Sequence, residues 1–242
     1  MDTIKVNRKD VKMIAHRGLS GLERENTNAA FVAAGNRSYY GIETDVHKTA
    51  DGQYVIIHND TTGEVTNGAV DINVLKSDYE LIKTVVLPDV DGSTARQDTR
   101  IPLLNEYIKI CKKYDKKSVL ELKSRFSGQH IAEIIEIIKE EDYLENVIFI
   151  SFYLDNCIAV RELLPDQQIQ WLLAEEVSQE MKDVLYKYQL DLDMHYPFLN
   201  KEIIDELHAN NVKVNCWTCN KKERAEGLIE MGVDFITSNI LE

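Results

Sequence analysis

The feature that most constrains this chain is a regular alternation. Short β-branched runs recur as KMIAH, GIETDV, KSVLELK, NVIFIS, IQWLLA, LDLDM, VKVNCW and VDFITS. Between most of them lies a helical pattern with readable ends. Asn26 or Thr27 opens one helix and Gly35 ends it, while Ile131, Ile134, Ile135 and Ile138 mark one face of another. Asp155 caps a third ahead of Pro165, Ser178 caps a fourth, and Asn200 precedes a fifth. Asn220 with Glu223 three residues on reads as a capping box, and Gly232 closes that helix. Strands that alternate with helices pair in parallel through βαβ crossovers. Eight such strands in 242 residues suit an α/β chain folded as a (β/α)8 barrel, with a doubly wound open sheet as the competing arrangement. No GxGxxG or GxxxxGK[ST] follows a strand, which removes the open sheet's commonest nucleotide-binding uses.

One segment breaks the rhythm. GIETDVHKTADGQYVIIHND holds two strand-like runs joined by too few residues for a crossover helix, with Asp51-Gly52 between them. Asp-Gly is a strong hairpin signal, and a two-residue turn there sets Asp45 opposite His58. From about 59 to 100 the chain is polar and turn-rich, which reads as a small excursion over one end of the barrel. No linker divides the rest, so 1–242 reads as a single domain carrying that insertion.

Charge and composition narrow the function. Asp and Glu total 41 against 28 Lys and Arg, a net charge of −13 with no basic cluster, so nucleic-acid binding is not expected. MDTIKVNRKD has no apolar targeting core, and no apolar run approaches the roughly 18 residues of a membrane span. A cytoplasmic protein without membrane insertion is the expectation. The CWTC pair, Cys216 and Cys219, lacks both a second ligand pair and a thioredoxin-like surround, and reads as two small hydrophobes at a strand end.

The chemistry-bearing residues share a spacing. Glu43 and Asp45 are two apart on one strand and so point to one face; Glu121 and Lys123 repeat the arrangement on another. On inner strands, three carboxylates against one lysine leave excess negative charge where charge is costly. A hard divalent cation with oxygen ligands is the simplest compensation. His16 ends the first strand, Arg17 follows it, and the hairpin brings His58 alongside Asp45. Two histidines and an arginine beside a carboxylate-bound cation have the parts for phosphoryl chemistry. His47, His130, His195 and His208 have no comparable set around them and read as surface residues.

At this point the sequence resembles the glycerophosphodiester phosphodiesterase family, within the wider phosphatidylinositol-phospholipase-C-like barrels. The matching elements are His16-Arg17-Gly18, Glu25-Asn26-Thr27, Glu43-Thr44-Asp45-Val46, Thr49-Ala50-Asp51-Gly52 and Val55-Ile56-Ile57-His58. Thr66-Asn67-Gly68, Pro102-Leu103-Leu104, Glu121-Leu122-Lys123, Ser151-Phe152 and Trp217-Thr218 with Asn220 follow in family order. The chain departs from the pattern at Arg24, where Pro is usual, at Asn59, which separates His58 from Asp60, and in lacking an Arg ahead of Thr66.

The resemblance implies a TIM barrel with a short insertion after the second catalytic histidine. It implies one divalent cation, Ca²⁺ or Mg²⁺, on Glu43, Asp45 and Glu121. His16 and His58 would be the general acid and base, with Arg17 and Lys123 on the phosphate. The implied reaction is hydrolysis of a small-molecule glycerophosphodiester to sn-glycerol 3-phosphate and an alcohol. Trp217, at a strand end, reads equally as a wall for the glycerol carbons or as a core aromatic. Two other readings stand beside this one: a lyase that stops at a cyclic phosphate, and a barrel that binds metal and diester without turnover. The presence of both histidines with all three carboxylates weighs against the second.

Overall fold

The computed structural model describes residues 2–242. Its strands are β1 (Lys12–Ala15), β2 (Gly41–Lys48), β3 (Tyr54–Ile56), β4 (Lys117–Leu122), β5 (Val147–Ser151), β6 (Ile169–Leu173), β7 (Asp191–His195), β8 (Val214–Trp217) and β9 (Phe235–Ser238). The helices are α1 (Asn28–Gly35), α2 (Tyr79–Ile82), α3 (Leu104–Lys113), α4 (Gly128–Glu140), α5 (Leu154–Leu163), α6 (Gln179–Tyr188), α7 (Lys201–Ala209) and α8 (Lys222–Met231). The sheet order is β1-β9-β8-β7-β6-β5-β4-β2-β3, and a further β1–β2 pairing closes the ring. Every pairing except β2–β3 is parallel. The result is the expected (β/α)8 TIM barrel, with β3 as an antiparallel addition.

Local signals set most of the helices. Thr27 caps α1 by accepting from the Ala30 N–H, and Ser127, Ser178 and Asn200 cap α4, α6 and α7 in the same way. The apolar face Ile131, Ile134, Ile135 and Ile138 of α4 is buried against the barrel. Two expected caps are different. Tyr153 stands at the N-cap of α5, leaving Asp155 in the first turn. The Asn220 Oδ1 accepts from Ser238 Oγ and the Asn239 N–H, so it ties the end of β9 instead of capping α8. Between β3 and α3 the chain runs through α2, and Val55, Ile57, Val65, Val74, Ile82, Val85, Leu87 and Ile101 form a small separate core there.

The hairpin register differs from the expectation by one residue. Val46 lies opposite Ile56 and His47 opposite Val55, so Asp45 falls opposite Ile57 and not His58. Asp51-Gly52 is not a two-residue turn. Gly52 N–H donates to the Thr49 carbonyl at 3.1 Å, Thr49 N–H to the Gln53 carbonyl at 2.9 Å, and Gly52 has φ +86°. That is a three-residue loop, a type I turn followed by a left-handed glycine, which moves the pairing by one position. β3 ends at Ile56, one more backbone bond runs from the Ile57 N–H to the Asp45 carbonyl at 3.1 Å, and beyond it the His58 side chain reaches the barrel mouth.

Glu242 joins the two ends of the described chain. Ile4 and Leu241 form a parallel bridge. The Glu242 carboxylate accepts from Thr3 Oγ1 at 2.6 Å and the Ser38 N–H at 2.6 Å, and pairs with Lys5 Nζ at 2.7 Å. Burial acts to raise this carboxyl, but Lys5, Thr3 and Ser38 hold it down to about 2. A depressed carboxyl stabilises the fold above its unfolded pKa, and that contribution fades as pH falls toward the folded value. Glu242→Gln should therefore lower stability by about 1.5–3 kcal/mol at pH 7, the usual loss for hydrogen bonds to a charged group. In denaturant titrations the gap from the unmodified protein should close between about pH 4.5 and pH 2.

Candidate active site

At the C-terminal ends of the strands, the end where barrels of this kind carry their chemistry, a cavity of about 90 Å³ opens. His16, Arg17, Glu43, His58, Glu121, Lys123 and Trp217 all line it. Asp45 sits immediately beneath, 3.5 Å from Arg17 Nε and 3.8 Å from Lys123 Nζ. Each residue singled out in the sequence is thus brought to one place.

Strand geometry aims the acids. Glu43 and Asp45 share a face of β2, and Asp45 is in register with Glu121 on β4. One carboxylate oxygen from each of Glu43, Asp45 and Glu121 lies within 4.8 Å of the other two, and all three residues are buried. The Glu43 Oε2 accepts the Arg17 N–H at 2.8 Å, Asp45 Oδ2 accepts Asn26 Nδ2 at 2.8 Å, and Glu121 Oε1 pairs with Lys123 Nζ at 3.0 Å. The buried Asp45 Oδ1 meets no hydrogen-bond donor. Oxygen ligands at about 2.0–2.6 Å from one ion stand no more than about 4–5 Å apart. Three hard donors at this spacing, one of them orphaned, fit a divalent cation.

The electrostatics describe the same shortage of positive charge. Burial, with Asp45 and Glu121 near, raises the Glu43 carboxyl well above the carboxylate range despite Arg17. Burial and the Asp45 charge push Glu121 up to about 8, with Lys123 opposing. Asp45 goes the other way: burial acts to raise it, but Arg17, Lys123, His58 and the Asn26 amide hold it down to about 2. Two of the acids are held toward the neutral form, first because burial penalises their charge and then because the cations in place offset only part of three negative charges.

The histidines are positioned from behind. His16 Nδ1 lies 2.7 Å from Asn239 Oδ1; with that oxygen accepting, Nδ1 carries the proton and Nε2, 3.9 Å from Glu43 Oε2, is left toward the cavity. Burial and then Arg17 lower His16 to about 4. Burial, with Arg17 and Lys123, also lowers His58 against the pull of Asp45. His58 Nδ1 is 3.1 Å from Asn59 Oδ1, so one departure from the family pattern contacts the histidine directly. Arg24, another departure, donates to the Val65 carbonyl at 2.7 Å and ties the β1–α1 loop to the excursion.

Of the four histidines expected at the surface, His47 is buried and the half-buried His195 joins an aromatic stack. His47 is 1% exposed, with Nδ1 2.9 Å from Ser124 Oγ and Nε2 3.2 Å from the His58 carbonyl. It continues the Glu43–Asp45 spacing on β2, and that parity was the available signal. His195, at the end of β7, stacks on Trp217 with ring centroids 5.1 Å apart, while Phe152 meets the other ring edge-on at 5.5 Å. Trp217 donates to the Asp193 carbonyl at 3.4 Å. Asn26, whose Oδ1 takes the Thr44 hydroxyl at 2.7 Å, buttresses Asp45 as well as leading into α1. Asn239 has no periodic signal; only the closure of the barrel sets it against His16. All four cysteines are buried free thiols, and burial raises the Cys216 thiol well above its ordinary value, in keeping with a small hydrophobe.

These features define a barrel enzyme with an acidic, histidine-flanked site at the strand ends. The model of the glycerophosphoryl diester phosphodiesterase family matches residues 16–241. A glycerophosphodiester phosphodiesterase from Caldanaerobacter subterraneus subsp. tengcongensis is 31% identical over 231 residues, covering 94% of this chain and 93% of its own. A human lysophospholipase D is 28% identical over 267 residues, covering 94% of this chain and 83% of its own. Among solved structures, an Oleispira antarctica phosphodiesterase in complex with the product sn-glycerol-3-phosphate superposes with a TM-score of 0.85 at 25% identity, covering 95% of this chain and 93% of its own. The chain belongs to the glycerophosphoryl diester phosphodiesterase family and is an enzyme of that class. No helix among the described residues is long and apolar enough to cross a membrane.

The turn that carries His16 and Arg17 has little slack. Arg17 has φ +54° and Gly18 φ +76°, and a Cβ on Gly18 would lie 2.7 Å from both the backbone and the Cβ of Ala30. Gly18→Ala should therefore displace the turn against α1. The expected outcome is a loss of more than about 1 kcal/mol in thermal or denaturant unfolding, the cost of strain at such a position, with a fall in turnover beside it.

Proposed function

We propose that this enzyme hydrolyses glycerophosphodiesters to sn-glycerol 3-phosphate and an alcohol, with a divalent cation held by Glu43, Asp45 and Glu121. The observation that carries the reading is the buried carboxylate trio with its orphaned Asp45 oxygen, flanked by two histidines and two cations in one cavity. When bound, Ca²⁺ or Mg²⁺ would supply Lewis-acid polarisation of the phosphoryl oxygens. Arg17 and Lys123 face the same cavity and stabilise negative charge as it builds on those oxygens. One imidazole of the His16/His58 pair takes the proton of the attacking hydroxyl. The other gives a proton to the departing alkoxide as its P–O bond breaks. A new P–O bond from water completes hydrolysis; attack by the substrate's own neighbouring hydroxyl would instead give a cyclic phosphate. Trp217 forms the wall beside the glycerol carbons. A cavity of about 90 Å³ takes the phosphoryl end of a diester and leaves the alcohol outside the mouth.

The test is release of glycerol 3-phosphate from a panel of glycerophosphodiesters, with and without chelator. Turnover should disappear with chelator and return with Ca²⁺ or Mg²⁺. A cyclic product would move the assignment to a lyase, and binding without turnover to a non-catalytic barrel.

His16→Ala and His58→Ala should each lose about 10²–10⁴-fold in kcat, the range for removing a general acid or base. Both should keep the cation-dependent rise in Tm. Asp45→Asn should lose that rise and activity together, and an Asp45→Asn protein with a normal cation response would remove the trio from the reading.

A further inference from the structure

The steps above leave one buried acid of the cavity without a task. Asp193, on β7, lines the cavity together with Leu172 and Trp217. Round the barrel, in the order β1, β2, β4, β5, β6, β7, β8, β9, strand β7 stands directly across from β2, which carries Glu43 and Asp45. Asp193 is 2% exposed, and its Oδ1 meets no hydrogen-bonding group. Its sheet neighbours do not supply one. Leu172 is apolar. Asn215, its register partner on β8, directs its Nδ2 to Gln170 Oε1, and its Oδ1 accepts from the Cys216 N–H and Thr237 Oγ1. An unpaired buried carboxyl costs stability, roughly 1–3 kcal/mol for the missing partner, so in this position it is expected to serve a ligand.

We propose that Asp193 is a substrate-binding and specificity residue, exchanging hydrogen bonds with a hydroxyl group of the glycerol unit whose phosphate lies against the Glu43 side of the cavity. The proposal rests on the reading that a glycerophosphodiester occupies this cavity. Burial raises the Asp193 carboxyl well above the carboxylate range, with no charged neighbour contributing. A neutral carboxylic acid both donates and accepts, as a hydroxyl does, and it does not repel the phosphate a few bonds away. An ionised acid in the same wall would repel it. A site built to bond a hydroxyl also discriminates against analogues that lack one, because its own buried group is then left unpaired.

The test compares the unmodified protein with Asp193→Val, which removes both polar atoms, and Asp193→Asn, which keeps a donor and an acceptor. Calorimetric titration with sn-glycerol 3-phosphate and with propyl phosphate, which lacks both hydroxyls, is run in Ca²⁺ and in Mg²⁺ buffers. The unmodified protein should prefer sn-glycerol 3-phosphate. Asp193→Val should bind it about tenfold more weakly, as expected for one lost hydrogen bond, while propyl phosphate binding stays within about twofold. Asp193→Asn should recover most of the preference. The Tm of Asp193→Val should match or exceed that of the unmodified protein, since an unpaired buried carboxyl is removed. Equal weakening for both ligands, or none for either, overturns the proposal, and a fall in Tm with equal weakening assigns Asp193 a structural role such as holding a buried water. Turnover assays separate the two levels: if the unmodified protein releases no glycerol 3-phosphate from any diester, the reaction assigned above fails, while the binding comparison still decides Asp193.

Discussion

Three carboxylates buried within 4.8 Å of one another are the arrangement on which the rest of this site depends. Left alone they would be a large penalty in a protein interior, where charge is poorly screened. Each is met by a specific group: the Arg17 N–H on Glu43, the Asn26 amide on Asp45, and the Lys123 ammonium on Glu121. Those groups come from two segments, so the acids dictate where the β1–α1 loop and the end of β4 must lie. The positive φ values at Arg17, Gly18 and Asn26 belong to the same requirement, because only a tightly folded loop presents both a backbone N–H and a side-chain amide to β2.

The barrel interior is divided by this choice. Charged groups cluster at the ends of β1, β2 and β4, and the opposite side carries Leu172, Trp217 and Asp193, whose carboxyl burial raises well above the carboxylate range. The glycerophosphodiester proposed as substrate has the same polarity, an anionic centre joined to a glycerol chain with hydroxyl groups. At the mouth, Phe152 and His195 pack against Trp217, and Lys123 lies 5.9 Å from the Phe152 ring, so the two sides are coupled through one aromatic contact. On the proposed reading, a net charge of −13 gives an anionic diester little long-range attraction, and Arg17 and Lys123 would act on it only within the roughly 8 Å screening length.

The hairpin illustrates how function can survive a register that local rules miss. Asp-Gly is compatible with two loop lengths, and Thr49 decides between them: its N–H reaches the Gln53 carbonyl, its carbonyl takes the Gly52 N–H, and its hydroxyl takes the Gln53 N–H at 2.8 Å. A strict strand through residue 58 in that register would turn His58 away from Asp45. The pairing ends instead at the Ile57 N–H bond to the Asp45 carbonyl, and His47 Nε2 from β2 lies 3.2 Å from the His58 carbonyl. His58 is therefore aimed by a side-chain contact, not by pleat.

What the residue pattern determined were matters of period and local chemistry. The alternation of runs yielded the barrel, the two-residue spacing yielded Glu43, Asp45, Glu121 and Lys123 as converging groups, and Thr27, Ser178 and Asn200 marked real helix starts. These depend on neighbours in sequence, which the sequence displays. Tertiary structure alone decided the remainder. Asn239 meets His16 because β9 closes against β1; Asn220 bonds the Ser238 hydroxyl and the Asn239 N–H because β9 ends beside it; His195 stacks on Trp217 because β7 and β8 are adjacent. Asp193 could have been suspected from an acid inside the apolar run LDLDM. Its lack of a partner, however, depends on Asn215 turning its amide toward Gln170, Cys216 and Thr237, and only packing across strands distant in sequence determines that.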